Sequence, residues 1–387
     1  MSCNTDHPDH DDTAARAHHA AILVSLELSR RTWLATSLSP DSEKLSKHVL
    51  PAGDGKTLLE LLAGLKAKAE RRTQRTLAVV TIHEAGLDGF WLHRLLERNG
   101  IDSHVVEPAS IAVPRRHRRA KTDAIDGAML IRTLAAWSRG EPRVCVMVRP
   151  PSPEAEDRRR LGRERDRLLK ERIEHTNRIK GLLFGQGIVD YAPLGKDRRE
   201  RLDALETGDG RPLPASLKAE LRRELDRLEL VCSQMAAVER ERDRLIETLA
   251  AGEAQPVVAL ARLQGIGRTT ATRLWLEGLF RRFDNRRQIA AYAGLAPSPW
   301  QSGGTDREQG IAKSGNPRLR TTMVELAWFW LRHQPGSALS AWFRKRVGDT
   351  RGRVRRVAIV ALARKLLVAL WRYAVHGIMP EGAALKA

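Results

Sequence analysis

Between residues 20 and 137 the apolar side chains fall into short runs, separated by turns and by segments whose leucines recur every three or four positions. That alternation restricts the region to a sheet covered by helices, because short apolar runs make buried strands and leucines at helical spacing line one face. Residues 20–28 (AAILVSLEL) read as a buried strand, and residues 32–38 (TWLATSL) as a second after a turn at Arg30–Arg31. Residues 47–51 supply a third. Lys56–Arg71 carries Leu58, Leu61, Leu62 and Leu65 on one face and reads as a helix. Thr76–Ile82 (TLAVVTI) is another buried strand, with Glu84 just beyond it. Gly89–Asn99 is helical, with Gly100 closing it, Asp102–Val106 is a fifth strand, and Asp123–Trp137 is a helix.

Three strands, helix, strand, helix, strand, helix is the succession of a ribonuclease-H-like, resolvase-like domain. In that fold, acidic groups lie on the first strand, at the end of the fourth and on a late helix. Glu27, Glu84 and the pair Asp123/Asp126 fall in those places. The pair opens its helix after an Arg- and Lys-rich stretch, RRHRRAKTDAID. Residues three apart share a helical face, so two carboxylates are directed into one space. Like charges so placed repel unless a cation lies between them. A divalent metal resolves this and suits phosphodiester chemistry. The plainer reading stays open: Asp123 as an N-cap and Asp126 as a first-turn acid favoured by the helix dipole.

The net charge of +20 points to a polyanionic partner, nucleic acid first. Cys3, Cys145 and Cys232 are far apart and form no CxxC, so neither a disulfide framework nor a zinc ribbon is expected. The chain reads as reduced and intracellular, with no signal peptide visible. Residues 1–19, polar and rich in His and Asp, read as a disordered tail. The apolar run Val357–Trp371 is broken by Arg364 and Lys365, which makes it an amphipathic core helix, not a membrane span.

At 387 residues the chain is long enough for several domains. After the carboxylate domain (20–148) and a linker (RPPSPE, 149–154), two long charged helices, Ala155–Phe184 and about Ala215–Leu249, carry apolar stripes. They predict an antiparallel coiled-coil arm over 149–254, with a Gly/Pro-rich tip near Gly185–Pro214. Residues 255–387 are expected to be mainly helical. Gly265 and Gly267, in LQGIGRTTA, read as a helix-hairpin-helix turn whose backbone N–H groups face a phosphate, or simply as a tight helix–helix turn. Gly294–Asn316 reads as a polar, Gly-rich loop containing Ser298, Ser302 and Ser314. Either this is simply a flexible surface loop, or Ser302, next to Gly303 and Gly304, is open to close approach by a phosphate, which Lys313, Arg318 and Arg320 would hold.

GLAPSPWQSG…GIAKSGNPRLRTTM resembles the C-terminal motif of the insertion-sequence-110 family of transposases. KTDAID, the upstream Glu84 and the GIG turn resemble its other marks, in the same order, over roughly residues 20–375. The resemblance implies a site-specific recombinase guided by a structured, non-coding bridge RNA that pairs with donor and target DNA. It implies four acidic residues, Glu27, Glu84, Asp123 and Asp126, holding Mg²⁺ or Mn²⁺, and a catalytic serine, Ser302. The two sets would come from different protomers of a homo-oligomer, a dimer or tetramer, with no membrane partner. Arg115, Arg116, Arg118, Arg119 and Lys121 would grip nucleic-acid backbones. One departure stands out: the family's first acid is Asp in a pattern like GIDVSK, whereas this chain has Glu27 in SLELSR. The extra methylene moves the carboxylate by about 1.5 Å, one C–C bond, and Mg²⁺ is demanding of geometry.

Two other functions use parts of the same pattern. A metal-dependent, structure-selective nuclease such as a junction resolvase needs the carboxylates and has no use for Ser302. A non-catalytic RNA- or DNA-binding relic keeps the charge and cleaves nothing.

Overall fold

The structure is a computed structural model. It describes residues 21–40, 42, 44–86, 89–111, 123–142, 144–249, 255–302, 305–312, 314–350 and 352–386. The expected tail and the basic stretch Arg115–Lys121 therefore lie outside the described residues, as does Lys313. The chain divides into two compact units, the first ending at Pro151 and the second beginning at Ser152.

The first unit is built on β1 (Ile22–Leu28), β2 (Thr32–Leu38), β3 (Ser46–Pro51), α1 (Gly55–Thr73), β4 (Val79–Glu84), α2 (Trp91–Arg98), β5 (Asp102–Val106), α3 (Asp123–Ser138) and β6 (Met147–Val148). Its six strands lie in the order β3-β2-β1-β4-β5-β6. β1 pairs antiparallel with β2, and β2 with β3. β1 and β4 are parallel, as are β4 and β5, while β6 closes the edge antiparallel to β5. The short strand β6 falls where the sequence reads as the approach to a linker. The central strands are apolar on both faces because helices cover both. Ile22, Val24 and Leu26 pack with Leu58 and Leu62 of α1 and with Leu92 and Leu96 of α2. Leu23, Val80 and Ile82 pack with Leu130, Ile131 and Leu134 of α3. Each of these α3 side chains is buried, contributing roughly 2 kcal/mol apiece.

The second unit begins with α4 (Pro153–Phe184), capped by Ser152, whose hydroxyl accepts from Ala155 N, with Pro153 in the first turn. α5 (Arg198–Asp203) and α6 (Ala215–Leu249) follow. Leu168 packs with Val231 and Val238, while Ile179 and Leu183 pack with Leu221, Leu225 and Leu228, so α4 and α6 run antiparallel. The tip is more ordered than its Gly/Pro content suggests: Ile188, Tyr191, Leu202 and Leu213 join the end of the helix pair in a small core.

Next come α7 (Gln255–Ala261), α8 (Arg268–Leu274) running into a π-helical turn (Trp275–Leu279), and α9 (Arg286–Tyr292). Strands β7 (Pro297–Ser302) and β8 (Thr305–Ile311) then precede α10 (Pro317–His333), α11 (Ala338–Val347) and α12 (Arg353–His376). The segment read as an irregular loop is thus an antiparallel hairpin. Its sequence hides this, because prolines, glycines and polar residues replace the usual apolar alternation. The helices share one large core containing Trp330, Leu362 and Leu366. Among the described residues, no helix is long and apolar enough to cross a membrane.

Candidate active site

The expected carboxylates of the first unit are placed by the β1–β4 ladder and α3. The parallel register of β1 and β4 pairs Leu26 with His83, and continuing it by one residue sets Glu27 opposite Glu84. Residues opposite one another on parallel strands face the same side, and neighbouring strands lie about 4.8 Å apart. Glu27 therefore shares the side of Leu23 and Ser25, and Glu84 that of Val80 and Ile82, which is the side covered by α3. Both acids sit at the carboxyl ends of central strands, where open α/β sheets present their chemistry.

α3 meets this face through Gly127. Ser25 Oγ donates to Gly127 O at 2.8 Å, tying the first turns of α3 to a point two residues before Glu27. A Cβ on Gly127 would lie 2.7 Å from Thr36 Oγ1 and 3.4 Å from Ser25 Oγ, so only glycine allows this approach. Asp126 is the residue before this contact. The rest of α3 runs back over Leu23, Val80 and Ile82, which leaves its acidic end nearest the strand ends bearing Glu27 and Glu84. Asp123 opens the helix, and of this residue the structure describes the backbone alone. A glycine inside a helix signals close packing, and DAIDG carries that signal; it was legible but is not part of the acidic motif.

The donors are all carboxylate oxygens, which suit Mg²⁺ or Mn²⁺. Among the described residues, no group of three such side chains is gathered closely enough to hold an ion. The residue types thus fit such an ion, while the Asp123 side chain lies outside the described residues.

On the opposite face of β4, His83 is buried, with no hydrogen-bond partner at either ring nitrogen. Burial pushes its pKa from the ordinary 6.5 down to about 4, helped by the nearby His93. It is a neutral core residue on the side away from the carboxylates.

The expected serine lies in the second unit, in the β7–β8 hairpin. Ser302 ends β7 and pairs with Thr305, so it belongs to the last pair of the ladder. Gly303 and Gly304, and the Ser302 side chain, lie outside the described residues. The hairpin base is well anchored. Leu295 is buried, Ala312 N donates to Ala296 O at 2.8 Å, and Asn316 N donates to Tyr292 O at 2.7 Å. Gly315 is required there: its φ is +83°, and a Cβ would collide with Tyr292 O.

Asn316 does more than cap α10. Its Oδ1 accepts from Arg318 N at 3.0 Å and Leu319 N at 3.1 Å. Its Nδ2 donates to both the backbone O and Oε2 of Glu277, each at 2.9 Å, and lies 3.4 Å from Tyr292 Oη. Glu277 is only 4% exposed and sits in the π-helical turn, where Phe280 N donates to Trp275 O at 3.0 Å. The sequence reading passed over Glu277; its one signal is a lone acid in the apolar run WLEGLF.

The expected phosphate-holding cations fare differently. Arg318 Nη1 donates to Asp166 Oδ2 of α4 at 3.0 Å, and Asp166 Oδ1 accepts from Arg273 at 2.5 Å. Arg318 is thus engaged by a carboxylate. Arg320 reaches Ser314 O at 3.5 Å. In the GIG turn, Gly265 has φ +83°, and a Cβ there would lie 2.8 Å from His333 Cβ, so packing against α10 explains it. Gly267 is the extended N-cap residue of α8, with open space around it.

Comparison with known proteins gives the family of the chain. Residues 12–186 match the DEDD-type IS110 transposases, and residues 258–341 match the transposase family IS116/IS110/IS902. A putative transposase of Sinorhizobium fredii is 58% identical over 383 residues, covering 97% of each chain. The transposase for insertion sequence element IS1111A of Coxiella burnetii is 30% identical over 56% of this chain and 58% of its own. That for element IS1328 of Yersinia enterocolitica is 29% identical over 60% and 70%. With a carboxylate-bearing sheet in one unit and a serine-bearing hairpin in the other, the chain belongs to the IS116/IS110/IS902 family of transposases.

Proposed function

We propose that this transposase cuts and rejoins DNA through a covalent phosphoserine at Ser302. The serine oxygen forms a bond to a scissile phosphorus, the bond from phosphorus to the leaving DNA oxygen breaks, and that oxygen departs as a hydroxyl end. The serine proton passes to a nearby base or water, and the leaving oxygen takes up a proton in turn from water, so no net proton is gained or lost. Attack by a hydroxyl end of another strand reverses the step and frees the serine, so rejoining needs no nucleotide cofactor. Glu27, Glu84, Asp123 and Asp126 would hold Mg²⁺ or Mn²⁺, which when bound supplies positive charge against the phosphate oxygens. The observation that carries the reading is the β1–β4 register, which, continued by one residue, sets Glu27 opposite Glu84 on the face that α3 covers.

The same reading assigns recognition of donor and target DNA to a structured guide RNA. Arg115, Arg116, Arg118, Arg119 and Lys121, together with Gly267, Lys313 and Arg320, would contact nucleic-acid backbones. It treats the α4–α6 pair as a coiled-coil arm that joins protomers, and the GIG turn as a helix-hairpin-helix element. Assembly would bring the carboxylates of one protomer to the serine of another, and the protein would work at the nucleoid.

The test is to trap the reaction on a nicked DNA substrate with Mg²⁺ and the RNA transcribed beside the gene. An adduct on Ser302, absent in Ser302→Ala, is expected. An adduct on Ser314 would correct the residue. Efficient cleavage without any adduct would replace this reading with a hydrolytic nuclease, and binding without cleavage would replace it with a relic.

A further inference from the structure

Resting on the reading of Ser302 as nucleophile, we propose that Glu277 and Asn316 are a positioning pair. Their bond would fix the base of the serine hairpin to the π-helical turn, and strand cleavage would depend on it. Three features converge on the pair. First, the carboxylate is almost wholly buried, and a buried charge is retained only where its hydrogen bonds are satisfied. Second, it accepts the Asn316 amide while Arg163 Nε of α4 lies 3.7 Å from its other oxygen. Third, the backbone of Asn316 is bonded to Tyr292, just before the hairpin, while its side chain starts α10, just after it. One residue thus joins both ends of the hairpin to the helix beneath.

The π turn contributes the geometry. An extra residue in a helical turn rotates the following side chains and is common near functional sites. Here it accompanies a carboxylate and a backbone carbonyl, from one residue, that both meet the Asn316 amide. Neither an aspartate nor a serine in place of Asn316 reproduces this. An aspartate keeps the cap acceptor but opposes one carboxylate with another. A serine keeps the cap acceptor and does not reach Glu277 as an amide does.

The test uses the full-length protein with Asn316→Asp, Asn316→Ser, Glu277→Gln, and the double variant Glu277→Gln/Asn316→Asp. In the double variant the amide introduced on the π turn would donate to the carboxylate introduced at the cap of α10, which restores a donor–acceptor pair with its direction reversed. Hydrogen exchange of segment 305–312 is measured without DNA; adduct formation and DNA binding are measured with it. Asn316→Asp is expected to speed exchange in the hairpin and lower adduct formation about 100-fold, since a displacement of about 1 Å is enough for that. DNA binding should change less than about threefold, because phosphate contacts elsewhere carry it. The double variant should recover about tenfold in adduct, by restoring the hydrogen bond, and slow the exchange again. Asn316→Ser should also speed exchange and lower adduct formation, without like-charge repulsion, and it remains informative if Asn316→Asp does not fold. Unchanged exchange and adduct in both Asn316 variants would overturn the proposal, as would a double variant no better than Asn316→Asp. If exchange follows this pattern while the parent protein cleaves without an adduct, the anchoring stands and the nucleophile reading fails.

Discussion

Replacing Gly127 by Ala should separate the stability of the sheet from the alignment of its carboxylates. At an exposed helical position the change would stabilise by about 1 kcal/mol through helix propensity. Here the new methyl would sit 2.7 Å from Thr36 Oγ1, whereas ordinary contact begins at 3.4 Å, so α3 must retreat by about 0.7 Å or Thr36 must rotate. Overpacking of this kind costs about 1–3 kcal/mol. The retreat also lengthens the 2.8 Å bond from Ser25 Oγ to Gly127 O, which is worth about 1 kcal/mol. The net expectation is a loss of about 1–3 kcal/mol, read as a fall in unfolding temperature of several degrees. The effect on chemistry should be larger. Asp126 is bonded in sequence to the displaced residue, and a shift approaching 1 Å costs on the order of 10- to 100-fold in rate. Thermal unfolding of the full chain and DNA cleavage in Mg²⁺ measure the two effects. A variant that is more stable than the parent and equally active would show that α3 does not meet the sheet through Gly127.

Asp123→Asn and Asp126→Asn should each abolish strand cleavage while leaving nucleic-acid binding within about threefold, because the amide keeps the volume and loses the charge; cleavage at the parental rate would remove that residue from the site. Glu27→Gln should reduce cleavage strongly and Glu27→Asp should retain part of it, as both are read on the same DNA substrate; an active Glu27→Gln would leave a three-carboxylate site. His83 gives a pH signature of stability. Its pKa is about 4 folded and 6.5 ordinarily, so between those values the unfolded chain binds the extra proton and stability falls as pH falls. The contribution is complete above pH 6.5, and about 3 kcal/mol of it is lost by pH 4. Urea unfolding at pH 7.5 and 4.5 should show a shallower loss for His83→Leu than for the parent; parallel losses would contradict the burial effect.

The sequence by itself determined the strand and helix succession of the first unit, because that succession is written in local patterns. The run AAILVSLEL is too short and too apolar for anything but a buried strand, and the leucines from Leu58 to Leu65 mark one helical face. It also placed Glu27, Glu84 and the KTDAID acids at the right points of that succession. Tertiary structure decided what touches what. That Glu27 stands opposite Glu84, one residue beyond the last pair of the ladder, depends on a parallel register between strands separated by β2, β3 and α1; apolar alternation fixes which face each residue takes, but no turn joins these two strands to set how far one slides along the other. That Gly127 is the point of approach to Ser25 and Thr36 follows only once α3 lies across the sheet. The hairpin carrying Ser302 escaped the sequence reading because its strands lack apolar alternation. Its order comes from contacts distant along the chain: Asn316 to Glu277, Gly315 to Tyr292, and Arg318 to Asp166. Such contacts depend on the packing of helices far apart in sequence, which fixes a buried carboxylate beside one amide and leaves only a lone acid in WLEGLF as its trace.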